Sequence, residues 1–138
     1  MTATHTIEVD EWLAHPAQEV WEALVDPRRL AAWFMANDFV AEVGHRFTLD
    51  TGEWGATHCE VLAVEPGRLL RFSWRNGPLD TEVTWRLEPE GTGTRLFVEH
   101  RGFDPDAPVQ RRAHDGMSQG WRTAVLAELR RHLDAARA

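Results

Sequence analysis

The segment TRLFVEHRGF, residues 94–103, alternates as an antiparallel strand should, with Leu96, Val98 and His100 on one face and Phe97, Glu99 and Arg101 on the other. Its apolar face therefore ends in an imidazole, the side chain that titrates nearest neutrality. Three roles suit such a group: a hydrogen-bonded core residue, a polar contact for a molecule held in a hollow, or a general base. A second anomaly lies in TIEVDEWLA, residues 6–14, where Glu11 interrupts the inward stripe between Val9 and Leu13. A carboxylate there costs free energy unless it is paired or reaches water at a sheet edge. If Glu11 and His100 share one hollow, they form a candidate acid–base or ligand-orienting pair, with the carboxylate raising the histidine pKa.

Other chemistry finds no pattern. Seven histidines, residues 5, 15, 45, 58, 100, 114 and 132, show none of the spacings that build a zinc site, and there is no nucleophile elbow, phosphate loop or dinucleotide fingerprint. No metal and no cofactor are expected. The formal charge of −7 argues against nucleic acid and against an anionic membrane surface, since both reward cationic proteins. All 15 basic residues are arginine, which carries no mechanistic weight. The lone Cys59 excludes an internal disulfide, and no stretch approaches the roughly 20 apolar residues of a membrane span. With no basic, apolar leader at the N-terminus, the cytoplasm is the expected compartment.

The elements that must position these groups follow from periodicity. The first strand ends at His15-Pro16. PAQEVWEALV then spaces Val20, Trp21, Leu24 and Val25 as a buried helical stripe, and Asp26 before Pro27 caps a second short helix that buries Leu30, Trp33 and Phe34. From about residue 40 to 103 the period changes to two. Turn signals divide that segment into strands near 42–50, 57–65, 68–75, 80–88 and 94–102. The short connections require antiparallel neighbours. Leu70, Phe72 and Trp74 share a face, as do Val83, Trp85 and Leu87, while Arg71, Arg75, Glu82, Thr84 and Arg86 take the other. A long amphipathic helix over about 107–136 carries Met117, Trp121, Ala124, Val125, Leu129 and Leu133.

Seven Trp and six Phe without a Tyr are unusual for one small chain. Rings of this size fill a core or line a hollow for something flat and apolar. Phe72, Trp74, Trp85 and Val98 on the sheet face the helix residues Met117 and Trp121 across the expected interior, and Trp33, Phe34 and Phe39 stand where a pocket lip belongs. Gly116 and Gly120 lie four apart on one helix face, each about 1 kcal/mol worse than alanine in a helix, so either the helix breaks there or something needs the room. Trp12 and Phe97 fall on the outer sheet face, where large rings can mark a homodimer interface.

HPAQEVWEALVDPRRLAAWF, EVLAVEPGRLLRFSWR, TEVTWRLEPEGTGTRLFVEHRGF and the late Gly120-Trp121 resemble the motifs of the START-like (SRPBCC) superfamily, and within it the activator of heat-shock protein 90 ATPase homologue family. The resemblance covers nearly the whole chain in the right order. It implies one α+β helix-grip domain over residues 1–138: a curved antiparallel sheet of about six strands around a long C-terminal helix, with two short helices after the first strand. It also implies a cavity between sheet and helix that accepts a small hydrophobic molecule, aromatic or polyketide-like. A cyclase or dehydratase using His100 and Glu11 is the enzyme alternative. Stimulation of a chaperone ATPase is the other, although 138 residues leave no room for the additional N-terminal domain of the eukaryotic co-chaperone.

Overall fold

A computed structural model of the chain describes residues 5–51, 55–104 and 106–137. The order is β1 (His5–Leu13), α1 (Ala17–Val25), α2 (Pro27–Trp33), β2 (Arg46–Asp50), β3 (Ala56–Glu65), β4 (Leu69–Asn76), β5 (Leu79–Glu90), β6 (Gly93–Phe103), α3 (Pro108–Gly120), a π-helical turn (Trp121–Val125) and α4 (Leu126–Arg137). The six strands form one antiparallel sheet in the order β1-β6-β5-β4-β3-β2, so the first strand joins the last and β2 forms the other edge. The expected helix-grip fold is present. No described helix is long and apolar enough to cross a membrane.

Local chemistry explains the boundaries. Asp26 caps α2 by accepting a hydrogen bond from the Arg28 backbone N–H at 3.0 Å, as its place before Pro27 predicts. The second strand, expected from residue 42, starts only at Arg46. Gly44 adopts a left-handed φ of +89°, and its N–H bonds back to the Val61 carbonyl at 2.8 Å, so residues before it turn instead of extending. The turn TGEWG lies partly outside the described residues. The C-terminal helix starts at Pro108 and runs unbroken past Gly116 and Gly120, then widens by one π turn at Trp121–Val125. The glycines do not break it.

The core lies on the concave face. Leu70, Phe72, Trp74, Val83, Trp85, Leu87, Leu96 and Val98 meet Leu126, Leu129 and Leu133 of α4 and the buried side of α1 and α2. The two halves of the C-terminal helix differ sharply: α4 contributes three fully buried leucines, whereas α3 has no fully buried residue. α4 is the anchor and α3 is the roof.

On the outer face, Trp12 donates its indole N–H to the Glu90 carbonyl at 3.0 Å and covers Gly93, while the Arg86 guanidinium sits 4.2 Å over the Phe97 ring. The rings that suggested self-association thus have partners within the same chain.

Candidate functional site

Between the open end of the sheet and α3 lies a cavity of about 940 Å³. Gly116, Gly120 and the π-helical Trp121 and Val125 supply its helix side. Phe34, Trp74, Met117 and Trp121 line it, together with Leu79 and Val125. Phe34 stacks on Trp121 with ring centroids 5.8 Å apart. A Cβ built on Gly116 or Gly120 would meet nothing within 4 Å, so no protein atom requires glycine at either position. Both glycines line the cavity.

The remaining expected residues lie elsewhere. Trp33, Phe39, Phe72, Trp85 and Val98 are buried among other side chains and do not reach the wall. Trp85 supports it from behind, edge-on to Phe34 at 5.9 Å and to Trp121 at 6.4 Å. Phe39 packs edge-on to Phe47 at 5.0 Å instead of forming a lip. These five belong to the core because α1 and α2 close over that half of the sheet.

Glu11 and His100 do not meet. In the β1–β6 ladder Glu11 stands opposite Leu96, whereas His100 stands opposite Ile7, four residues and about 13 Å further along the strand. Glu11 pairs with Arg130 of α4, which also donates to the Trp12 carbonyl at 2.8 Å, so this carboxylate ties the edge strand to the anchoring helix near solvent. An acid–base pair of these two residues is excluded by the register.

His100 is completely buried. Trp121 donates its indole N–H to His100 Nδ1 at 3.2 Å, which fixes that nitrogen as an acceptor and leaves the proton on Nε2. Nε2–H then donates to Thr81 Oγ1 at 2.8 Å, and the Thr81 hydroxyl donates to the Trp74 carbonyl at 2.9 Å. Both ring nitrogens are committed. Burial, with the neighbouring His114 adding repulsion, pushes the imidazole pKa down to about 3, so it is neutral at physiological pH. Of the three roles open to it, the geometry selects the hydrogen-bonded core residue. It does not line the cavity, but holds two rings that do, Trp74 and Trp121.

The polar part of the wall was not singled out from the sequence. Asp50, Thr51, Thr57 and Asn76 gather where β2, β3 and β4 end beneath α3, and Arg112 stands at the exposed rim. Alternation along β3 could have found one of them, since Thr57 shares the inward face with Cys59 and Val61. The others sit at strand ends, where periodicity gives no direction. Among the described residues no cluster of His, Cys, Asp or Glu is arranged to hold a metal ion.

Residues 14–134 match the family model described as Activator of Hsp90 ATPase homolog 1-like protein. The chain belongs to this family. Among solved structures, proteins from Mesorhizobium loti and Bacillus halodurans superpose closely. The first is 39% identical with a TM-score of 0.85, over 95% of this chain and 98% of that one. The second is 32% identical with a TM-score of 0.84, over 96% and 99%. The family chain is also similar to DynU16, described as a putative protein in the dynemicin biosynthetic locus, at 29% identity and a TM-score of 0.82. There the match spans 95% of this chain but 48% of the other. No curated protein sequence matches significantly.

Proposed function

We propose that this protein binds a small hydrophobic molecule, aromatic or polyketide-like, in the cavity beneath α3. The carrying observation is a void of about 940 Å³ walled by Phe34, Trp74, Met117 and Trp121 and roofed by two glycines that the protein's own packing does not need. That volume lies within the range of small-molecule sites, and apolar walls with a few polar groups at one end are their usual construction. The similarity to a protein of the dynemicin biosynthetic locus supports a small-molecule ligand.

Binding without chemistry is favoured because the histidine and carboxylate that a base mechanism would use are both engaged elsewhere. The ligand should leave unchanged. Native mass spectrometry of the freshly purified protein tests for a co-purifying molecule, and titration with apolar aromatic probes should quench tryptophan fluorescence saturably. Met117→Trp, which adds bulk to the cavity wall, should abolish that binding. Quenching that survives it would move the site elsewhere, and turnover of a bound molecule would replace the carrier with an enzyme.

A further inference from the structure

The polar end of the cavity has a direction. The Gly55 carbonyl can only accept, and it receives both the Thr51 backbone N–H at 3.0 Å and the Thr51 hydroxyl. The single proton of Thr51 Oγ1 is therefore committed. At the contact between the two threonines, 3.3 Å long, Thr57 must consequently be the donor. Thr57 Oγ1 in turn accepts from the Asn76 side-chain amide at 2.9 Å. Protons run one way along the chain, from Asn76 through Thr57 and Thr51 to the Gly55 carbonyl.

A hydroxyl oxygen has one proton and two lone pairs. Thr51 Oγ1 has donated once and accepted once, so an accepting lone pair remains on a half-buried residue in the cavity wall. Asp50, the next residue back along β2, also borders the cavity but is exposed. The ionic donor of the lining, Arg112, is exposed at the rim, where water screens it. At this end of the cavity Thr51 thus offers an acceptor, beside a wall to which Phe34, Met117 and Trp121 contribute apolar surface.

We infer that Thr51 selects a ligand whose apolar body ends in a hydrogen-bond donor, a phenolic or alcoholic hydroxyl, over one ending in an ether or a carbonyl. The inference rests on the cavity being the ligand site. A donor completes the hydroxyl chain. An ether or carbonyl oxygen would place its lone pairs against those of Thr51, losing its hydration without a partner.

The test compares 2-naphthol with 2-methoxynaphthalene by calorimetric titration of the wild type, Thr51→Val and Thr51→Ser. The two probes differ in water solubility, so the reading is the ratio of their dissociation constants and how it changes with the residue. Thr51→Val should shift that ratio about five- to tenfold against the naphthol, while Thr51→Ser should keep the wild-type ratio. A ratio that moves less than twofold in Thr51→Val overturns the head-group assignment, leaving the cavity reading intact if the ether still binds and Gly120→Val weakens it. If neither probe binds the wild type, the cavity reading falls and the inference with it.

Discussion

Trp121 donates its indole N–H to His100 Nδ1 at 3.2 Å, which ties the wide turn of the C-terminal helix to strand β6. Both ends of that turn, Trp121 and Val125, line the cavity. A π turn inserts one residue into a helix and is common at functional sites, and here the hydrogen bond holds the inserted ring in the cavity wall.

Trp121→Phe keeps a ring but removes the donor. His100 Nδ1 is then left buried and unpaired, and denaturant unfolding should show a loss of about 1–3 kcal/mol. Thr81→Val should cost a similar amount, because it strands both Nε2–H and the Trp74 carbonyl. Unchanged stability in both variants would refute the network.

His100 also sets an acid limit. Its folded pKa, about 3, lies below the ordinary value of 6.5, so the unfolded chain takes up a proton at higher pH than the native protein. Its contribution is complete above pH 6.5 and declines as pH falls toward 3. Denaturation across that range should show stability falling with acid, and less steeply in His100→Gln. In the native protein the imidazole carbon-bound protons should show no titration step near neutrality in NMR spectra.

Three glycines give opposite outcomes. At Gly116 and Gly120 an added methyl enters the open cavity, so each alanine variant should be about 1 kcal/mol more stable and raise the melting temperature. At Gly93 the same methyl runs into the Leu13 carbonyl and the Trp12 ring, and alanine there should be strongly destabilising. Thermal melts of the three variants check this directly.

Glu11 pairs with Arg130 near solvent, where such bridges contribute about 0–1 kcal/mol. Glu11→Gln should change stability within that range and leave the affinity for aromatic probes unaltered. A large loss of binding would restore Glu11 to the site.

Cys59 should be inert in the folded protein. Burial, with the nearby Asp38 charge adding to it, pushes its thiol pKa up to about 12, so thiolate is scarce at pH 8. A thiol reagent should label it only as fast as the protein unfolds, with full labelling in denaturant.

The order of elements was legible because each rests on local chemistry. Alternation marks β4, β5 and β6, the Asp26–Pro27 cap marks α2, and the apolar stripe marks the terminal helix. The start of β2 was not legible, since the left-handed turn at Gly44 depends on its bond to Val61 across the sheet. Four of the cavity residues, Phe34, Trp74, Met117 and Trp121, could be read in advance because periodicity reports which side chains turn inward.

Periodicity reports direction, but not what waits on the other side. Trp74 and Trp85 lie on the same inward face of neighbouring strands, yet one borders the cavity and the other fills the core. The difference comes from which part of the sheet α1, α2 and α4 cover and which part α3 leaves open. Likewise the alternation of β1 and β6 put Glu11 and His100 on one face, while only the register set them about 13 Å apart and gave them to Arg130 and Trp121 instead. The amino-acid sequence by itself determined the fold, its inward faces and its family, because these follow from short-range pattern. The partners of each polar group, and so the chemistry open to it, were decided by tertiary structure, because a hydrogen bond depends on contacts within about 3 Å between residues far apart in the chain.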